Sequence, residues 1–250
     1  KVYSLPTLQS EYLYVNPKSG FLTTAANRLA VLHAIDVPEI VKQVYPGVGT
    51  EATQAYPRNM VPSGMSTQAD TYDPGALRKL VASLPASERT LTVGYDTSSP
   101  SDQLIASILV DQLDQTGLQV SSVGYPTGTV YGWAPPGTVP SNAPGLLVEY
   151  IWPDAYDPYQ SGHIFWGSQG GANFLQCTVN GLDAQLSQAL ASDDVPLFGQ
   201  AGDEVASSGC FYNLVDRNDV FVAQPWLKGL PQGHVVSAPY TVNLDGLYPG

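Results

Sequence analysis

The chain has 250 residues, 43% hydrophobic and 13% charged, which is enough apolar material for one large core and unlike a disordered chain. Ten Lys and Arg against 22 Asp and Glu leave a net charge of -12, the wrong sign for a protein that must neutralise nucleic-acid phosphates. No apolar run approaches the roughly 20 residues of a bilayer-spanning helix, and the opening Lys1-Val2-Tyr3-Ser4 has no apolar segment of signal-peptide type.

Glu11 to Val15 alternates as a strand does and stops at the turn Asn16-Pro17. Ala25, Leu29, Leu32 and Ile35 recur at helical spacing, which predicts a helix over 24–35. A second helix starts at Asp36, with Pro38 in its first turn and Glu39 three residues after the aspartate in a capping-box pattern, and runs to about Tyr45. Residues 46–72, rich in Gly, Pro, Thr and Ser, read as a long ordered loop, a type that is usually functional or covers another surface. Asp73-Pro74 caps the next helix, which extends to about Ser83.

Leu91 to Val123 is the clearest unit. Thr90 to Tyr95 alternates as a strand, Ser99-Pro100-Ser101-Asp102 opens a helix, and Leu104, Ile105, Ile108, Leu109 and Leu113 make its apolar face. Gly117 ends that helix and a strand begins at Leu118, so the segment is a right-handed parallel crossover. Gly145 to Trp152 is a buried central strand interrupted only by Glu149. It runs into the loop 153–158, where ligands gather in parallel sheets. Leu182, Leu186 and Leu190 stripe a helix, another covers about 196–207, and Phe211–Leu214 with Val220–Ala223 reads as a hairpin or strand pair. After Pro225 the chain is irregular.

Cys177 and Cys210 are too few for a disulfide scaffold. In an oxidising compartment they would form one bridge, whose loop of roughly 30 residues contributes about 3 kcal/mol; otherwise they are buried free thiols. No G-x-S-x-G, H-E-x-x-H or C-x-x-C is present, and Gly47-Val48-Gly49 does not follow a strand as a dinucleotide fingerprint must. His33 lies beside core positions and is most simply structural, whereas His163 stands near the 153–158 loop.

Asp154 and Asp157 are an acidic pair at a strand end. Two carboxylates there would suit glycoside hydrolysis, while Asp157, before Pro158, would equally fix the turn through its own side chain. A partly desolvated Asp154 would bind an ammonium group through charge-assisted hydrogen bonds of about 1.5 to 3 kcal/mol each. Trp152, Tyr156, Tyr131, Trp133 and Tyr150 supply apolar walls and a cation–π surface for that charge, or else pack as ordinary core.

Residues 27–36, Asn-Arg-Leu-Ala-Val-Leu-His-Ala-Ile-Asp, followed by Ile40-Val41 and Tyr45-Pro46-Gly47, are similar to the "VRQALSYAIDR..IV...Y.G" segment of the family 5 extracellular solute-binding proteins. These are the dipeptide, oligopeptide and nickel receptors of ABC importers. Tyr72-Asp73-Pro74 with the helix after it resembles the family's "YDPEKAKALL" segment, and Leu91 to Val123 its strand, helix and strand. Residues 152–158 resemble its "W..D..DP" loop and Asn173 to Asp183 the passage that follows.

The resemblance implies an α/β lobe of periplasmic-binding-protein type II, a mixed sheet with flanking helices. Residues 1–224 would be the second, C-terminal ligand-binding lobe of a two-lobe receptor, and 225–250 a segment returning to the first lobe. It implies the extracytoplasmic substrate-binding component of an ABC importer, not an enzyme, with no cofactor and no metal. The protein would sit at the cell surface or in the periplasm on a lipid anchor and meet the importer's membrane subunits. Its ligand would be a peptide or small amine-bearing solute, with the free amino group on Asp154 and Trp152, Tyr156, Tyr131 and Trp133 lining the pocket. The alternative is a receptor-like cell-envelope lipoprotein with a regulatory or scaffolding role and no transport. An open cleft lined by Asp154 and aromatics favours transport, and a sealed one scaffolding.

Overall fold

Fourteen residues, Val2–Val15, form β1, the strand against which the rest of the sheet assembles. The computed structural model describes residues 1–68, 71–238 and 240–250. Ala69 and Asp70, in the expected 46–72 loop, and Pro239, in the expected irregular segment, lie outside the described residues.

Thr24 accepts a hydrogen bond from the Asn27 amide and starts α1 (Ala25–Leu32), and Asp36 does the same for Glu39 at the start of α2 (Val37–Val44). The first helix stops short of Ile35 because the amides of Ala34 and Ile35 bond back three residues to Val31 and Leu32 and tighten the last turn. There follow the short β2 (Gly49–Glu51) and α3 (Pro74–Ser83), the latter capped by Asp73. Next come β3 (Thr90–Asp96), α4 (Pro100–Asp114) capped by Ser99, and β4 (Gln119–Tyr125). The chain continues through α5 (Thr127–Tyr131), β5 (Leu146–Ile151), α6 (Pro158–Phe165), α7 (Leu182–Ser192) and α8 (Val195–Ser208).

The stretch expected as a hairpin or strand pair is instead one strand, β6 (Phe211–Val222), paired antiparallel with β1 from Tyr14↔Phe211 to Val2↔Val222. Its middle, Asp216-Arg217-Asn218-Asp219, has the composition of a turn but stays extended because each side chain finds a fixed partner. Asp216 meets Ser10 and Arg58, Arg217 meets Glu11, Asn218 meets Ser4 and Arg58, and Asp219 meets Gln9. The final residues are not wholly irregular: β7 (Leu227–Lys228) pairs with β8 (Tyr248–Pro249), and α9 (Leu230–Gly233) lies between them in sequence.

The main sheet has the order β2-β6-β1-β5-β3-β4, parallel between β5, β3 and β4 and antiparallel elsewhere. Both faces are covered, and strand alternation decides which residue goes where. Tyr12 and Tyr14 pack into one cluster with Phe165, Leu186 and Phe198 of α6, α7 and α8. Leu13 and Val15 pack into the other with Leu32, Ile40, Leu77 and Ile105 of α1 to α4. A disulfide joins Cys177 to Cys210, 33 residues apart, inside the first cluster.

The 46–68 stretch, expected as loop throughout, contributes β2 to the sheet edge and is otherwise held down as a covering loop. The Gln68 side chain exchanges two hydrogen bonds, 2.7 and 2.8 Å, with the Asn213 backbone, as a neighbouring strand would. Ser66 is fully buried against α8 at Gly202, where a Cβ would collide with the Ser66 hydroxyl.

Candidate binding crevice

The connection leaving β3 crosses through α4 to β4 on one side, while β5 lies on the other side of β3. The order of strands therefore reverses at β3, and a crevice opens beyond the carboxyl ends of β3 and β5. Pairing between these strands covers only Val93–Tyr95 against Leu146–Val148, so Glu149, Tyr150 and Ile151 continue past β3 into the crevice.

Two recesses share this edge, with Tyr131, Tyr150 and Trp152 common to both. The first, of about 310 Å³, is bounded by Tyr131, Trp152, Asp154, Ile164 and Phe165. Asp154 is exposed there, and Trp152 is tilted against Tyr150 with ring centroids 5.1 Å apart. The loop is rigidly set: Asp157 accepts from the amides of Tyr159 and Gln160 at 2.8 and 3.2 Å and so caps α6. With both bonds on one carboxylate oxygen, Asp157 serves the turn.

The second recess, of about 430 Å³, is lined by Asp96, Ser99, Asp102, Glu149, Arg217 and Tyr240, among others. Arg217 donates to Glu11 at 3.0 Å and stacks over the rings of Tyr150 at 4.4 Å and Tyr45 at 5.1 Å. The Tyr45 hydroxyl also donates to Glu11. Burial pushes the Glu11 carboxyl upward, and Arg217 opposes that shift. Asp102 is pushed up to about 9 by burial first and by the Glu11 charge second. Glu149 is pushed up to about 9 by burial and then by the charges of Asp96 and Glu11. Its Oε2 has no hydrogen-bond partner among the described residues.

The structure thus gathers Asp154, Trp152 and Tyr131 at the first recess. Tyr156 lies outside both, exposed, with its hydroxyl donating to the Asn59 carbonyl. Trp133 is buried in the core, edge-on to Tyr125 at 4.8 Å. His163 is exposed and stacked on Tyr159 at 5.6 Å, and it lines neither recess. Sequence reading missed Asp96, Asp102 and Arg217 and passed over Glu149. The signal for Glu149 was the single charge in an otherwise apolar strand; Asp102 was hidden because an acid in a first helical turn already has an explanation.

A sequence model of bacterial extracellular solute-binding proteins, family 5 middle region, matches residues 1–173. No curated protein matches the chain by sequence. The ABC transporter substrate binding protein CtaP from Listeria monocytogenes superposes with a TM-score of 0.83 at 18% identity, over 100% of this chain and 52% of that one. The oligopeptide-binding protein AppA from Bacillus subtilis, solved with a nonapeptide, gives 0.77 at 16%, over 100% and 52%. NikZ from Campylobacter jejuni, solved with Ni(L-His), gives 0.74 at 18%, over 92% and 49%. The chain spans about half the length of these structures, and at such identities the likeness is one of fold, that of the type II periplasmic binding proteins. Sequence and fold agree over most of the chain, which therefore belongs to the family 5 bacterial extracellular solute-binding proteins.

Proposed function

We propose that residues 1–224 form the C-terminal ligand-binding lobe of an extracytoplasmic receptor that captures peptides or similar amine-bearing solutes for an ABC importer. Residues 225–250 are the segment that returns toward the first lobe. The observation that carries this reading is the first recess: an exposed carboxylate, Asp154, beside the rings of Tyr131 and Trp152 at the open end of the sheet. A primary ammonium placed there has a counter-ion and an aromatic face together. A family of solute-binding proteins, two of whose structural neighbours are described by their oligopeptide-binding or substrate-binding role, supports the ligand class. The disulfide suits an oxidising compartment.

Calorimetric titration of the intact protein with short peptides tests the reading. Acetylating the peptide's amino group, or Asp154→Ala, lowers affinity by about 10- to 100-fold, the loss of one charge-assisted contact. Equal affinity for free and acetylated peptides refutes the assignment of Asp154.

A further inference from the structure

The second recess has more acid than its own cation can satisfy. Arg217 is the only cation among its described lining residues, and it is already committed to Glu11 and stacked between Tyr45 and Tyr150. Asp102 accepts from the Ser99 hydroxyl at 2.5 Å through Oδ1, and its Oδ2, like Glu11 Oε2, has no hydrogen-bond partner among the described residues. Asp96 accepts from the Ser98 amide and the Thr127 hydroxyl, and no described ion pair includes it. Glu149 is only 4% exposed, lines the recess, and leaves Oε2 without any partner.

Two buried acids outside this recess, Asp216 and Asp219, are treated differently. Asp216 is paired with Arg58 at 3.7 Å, and Asp219 with His234 at 3.3 Å and the Gln9 amide at 2.8 Å. A carboxyl buried without such a partner is costly to the empty protein, so its missing partner is sought in what enters the recess. Tyr150 and Trp152 supply aromatic surface for a cation carried on an apolar stem. The recess also adjoins the proposed ammonium site: the Tyr131 phenol lies within the fields of Asp154, Glu149 and Asp96 alike.

We propose that the second recess receives a cationic side chain, an alkylammonium or a guanidinium, of the same ligand whose amino group meets Asp154, with Glu149 and Asp96 as its counter-ions. The ligand class is thereby narrowed to peptides or amino-acid derivatives carrying lysine-, ornithine- or arginine-like groups. This rests on the peptide-receptor reading for the identity of the ligand, though the recess can be tested apart from it. Entry of the cation expels the proton held by Glu149, so the preference for a cationic over a neutral side chain on an otherwise identical peptide strengthens as pH rises from 6 to 9. The groups that face Glu149 are Glu11 and Tyr14 of β1, Asp96 of β3, Asp102 of α4, Tyr131 of α5 and Arg217 of β6.

The test is calorimetric titration of the intact protein with a pair of free-amino tripeptides differing only in lysine or norleucine, and separately with cadaverine. Wild type prefers the lysine peptide by about 10- to 100-fold, and Glu149→Gln brings that ratio close to one. Run in two buffers of different ionisation enthalpy, the lysine peptide releases about one proton more than the norleucine peptide. If both peptides bind equally well to wild type, this inference is wrong and the receptor reading stands. If neither peptide binds but cadaverine does, and Glu149→Gln abolishes it, the cation site stands and the peptide reading falls. If none of the three binds, both are overturned.

Discussion

Glu149 makes a quantitative test of the electrostatics possible without any ligand. Its carboxyl titrates near 4.3 in an unfolded chain and is pushed up to about 9 here, mainly because burial penalises the charged form. At pH values between these limits the native state holds a proton that the unfolded state has lost. Stability from this group is therefore fully present below about pH 4 and is lost as pH rises toward 9. Each pH unit is worth about 1.4 kcal/mol per proton, so raising pH from 5 to 8 removes at most about 4 kcal/mol. Water entering the open recess brings this to about 2 kcal/mol. Glu149→Gln has no proton to lose and keeps nearly the same shape. In scanning calorimetry of the ligand-free protein the variant should match wild type at pH 5. At pH 8 it should melt higher by roughly 4 to 8 °C, at about 2 to 4 °C per kcal/mol for a chain of this size. A difference that does not change with pH, or a variant less stable at pH 8, refutes the assignment of a protonated, cation-free Glu149.

Two further predictions concern the scaffold. Replacing both Cys177 and Cys210 with serine opens a loop of 33 residues and should cost about 3 to 4 kcal/mol in the chain-entropy model, seen as a fall of roughly 10 °C in Tm under non-reducing conditions. Gly202→Ala places a methyl group against Ser66 at the contact between α8 and the covering loop, and should cost about 1 to 3 kcal/mol in denaturant unfolding. If it does not, that loop is not packed on α8 as described.

Much of the fold could be read from the chain because local signals and burial agreed. The aspartate before Pro74 and the serine before Pro100 do cap helices, and the 91–123 crossover is a parallel strand pair bridged by α4, whereas the helix that Asp157 caps at Pro158 reads in the sequence only as a turn. The failures have a common cause. Residues 216–219 have turn composition and become strand only because Arg58, Gln9, Ser10 and Glu11 reach them from far along the chain. Trp133 and Tyr156 sit in an aromatic-rich region like Tyr131 and Trp152, and nothing local says which ring turns to the core. Period and propensity tell which face of an element is buried, but not which polar groups converge at its end. Glu11, Asp102 and Glu149 come from β1, α4 and β5 and meet only once the sheet order exists.

The two carboxylates offered to a ligand differ physically, and that difference divides their roles. Asp154 is exposed, and an ion pair to a solvated carboxylate contributes only about 0 to 1 kcal/mol. It gains strength only when water is excluded, which on the proposed reading is the task of the missing first lobe. Glu149 already lies in a low-dielectric wall, where a correctly placed cation meets a strong field and a neutral isostere leaves an unsatisfied carboxyl behind. On the proposed reading the exposed acid governs whether closure captures a ligand, while the buried acid discriminates among ligands before closure. Both acids lie on β5 and the loop that follows it, beside the shared Tyr150 and Trp152, so that on the same reading one short strand end would carry both affinity and selectivity.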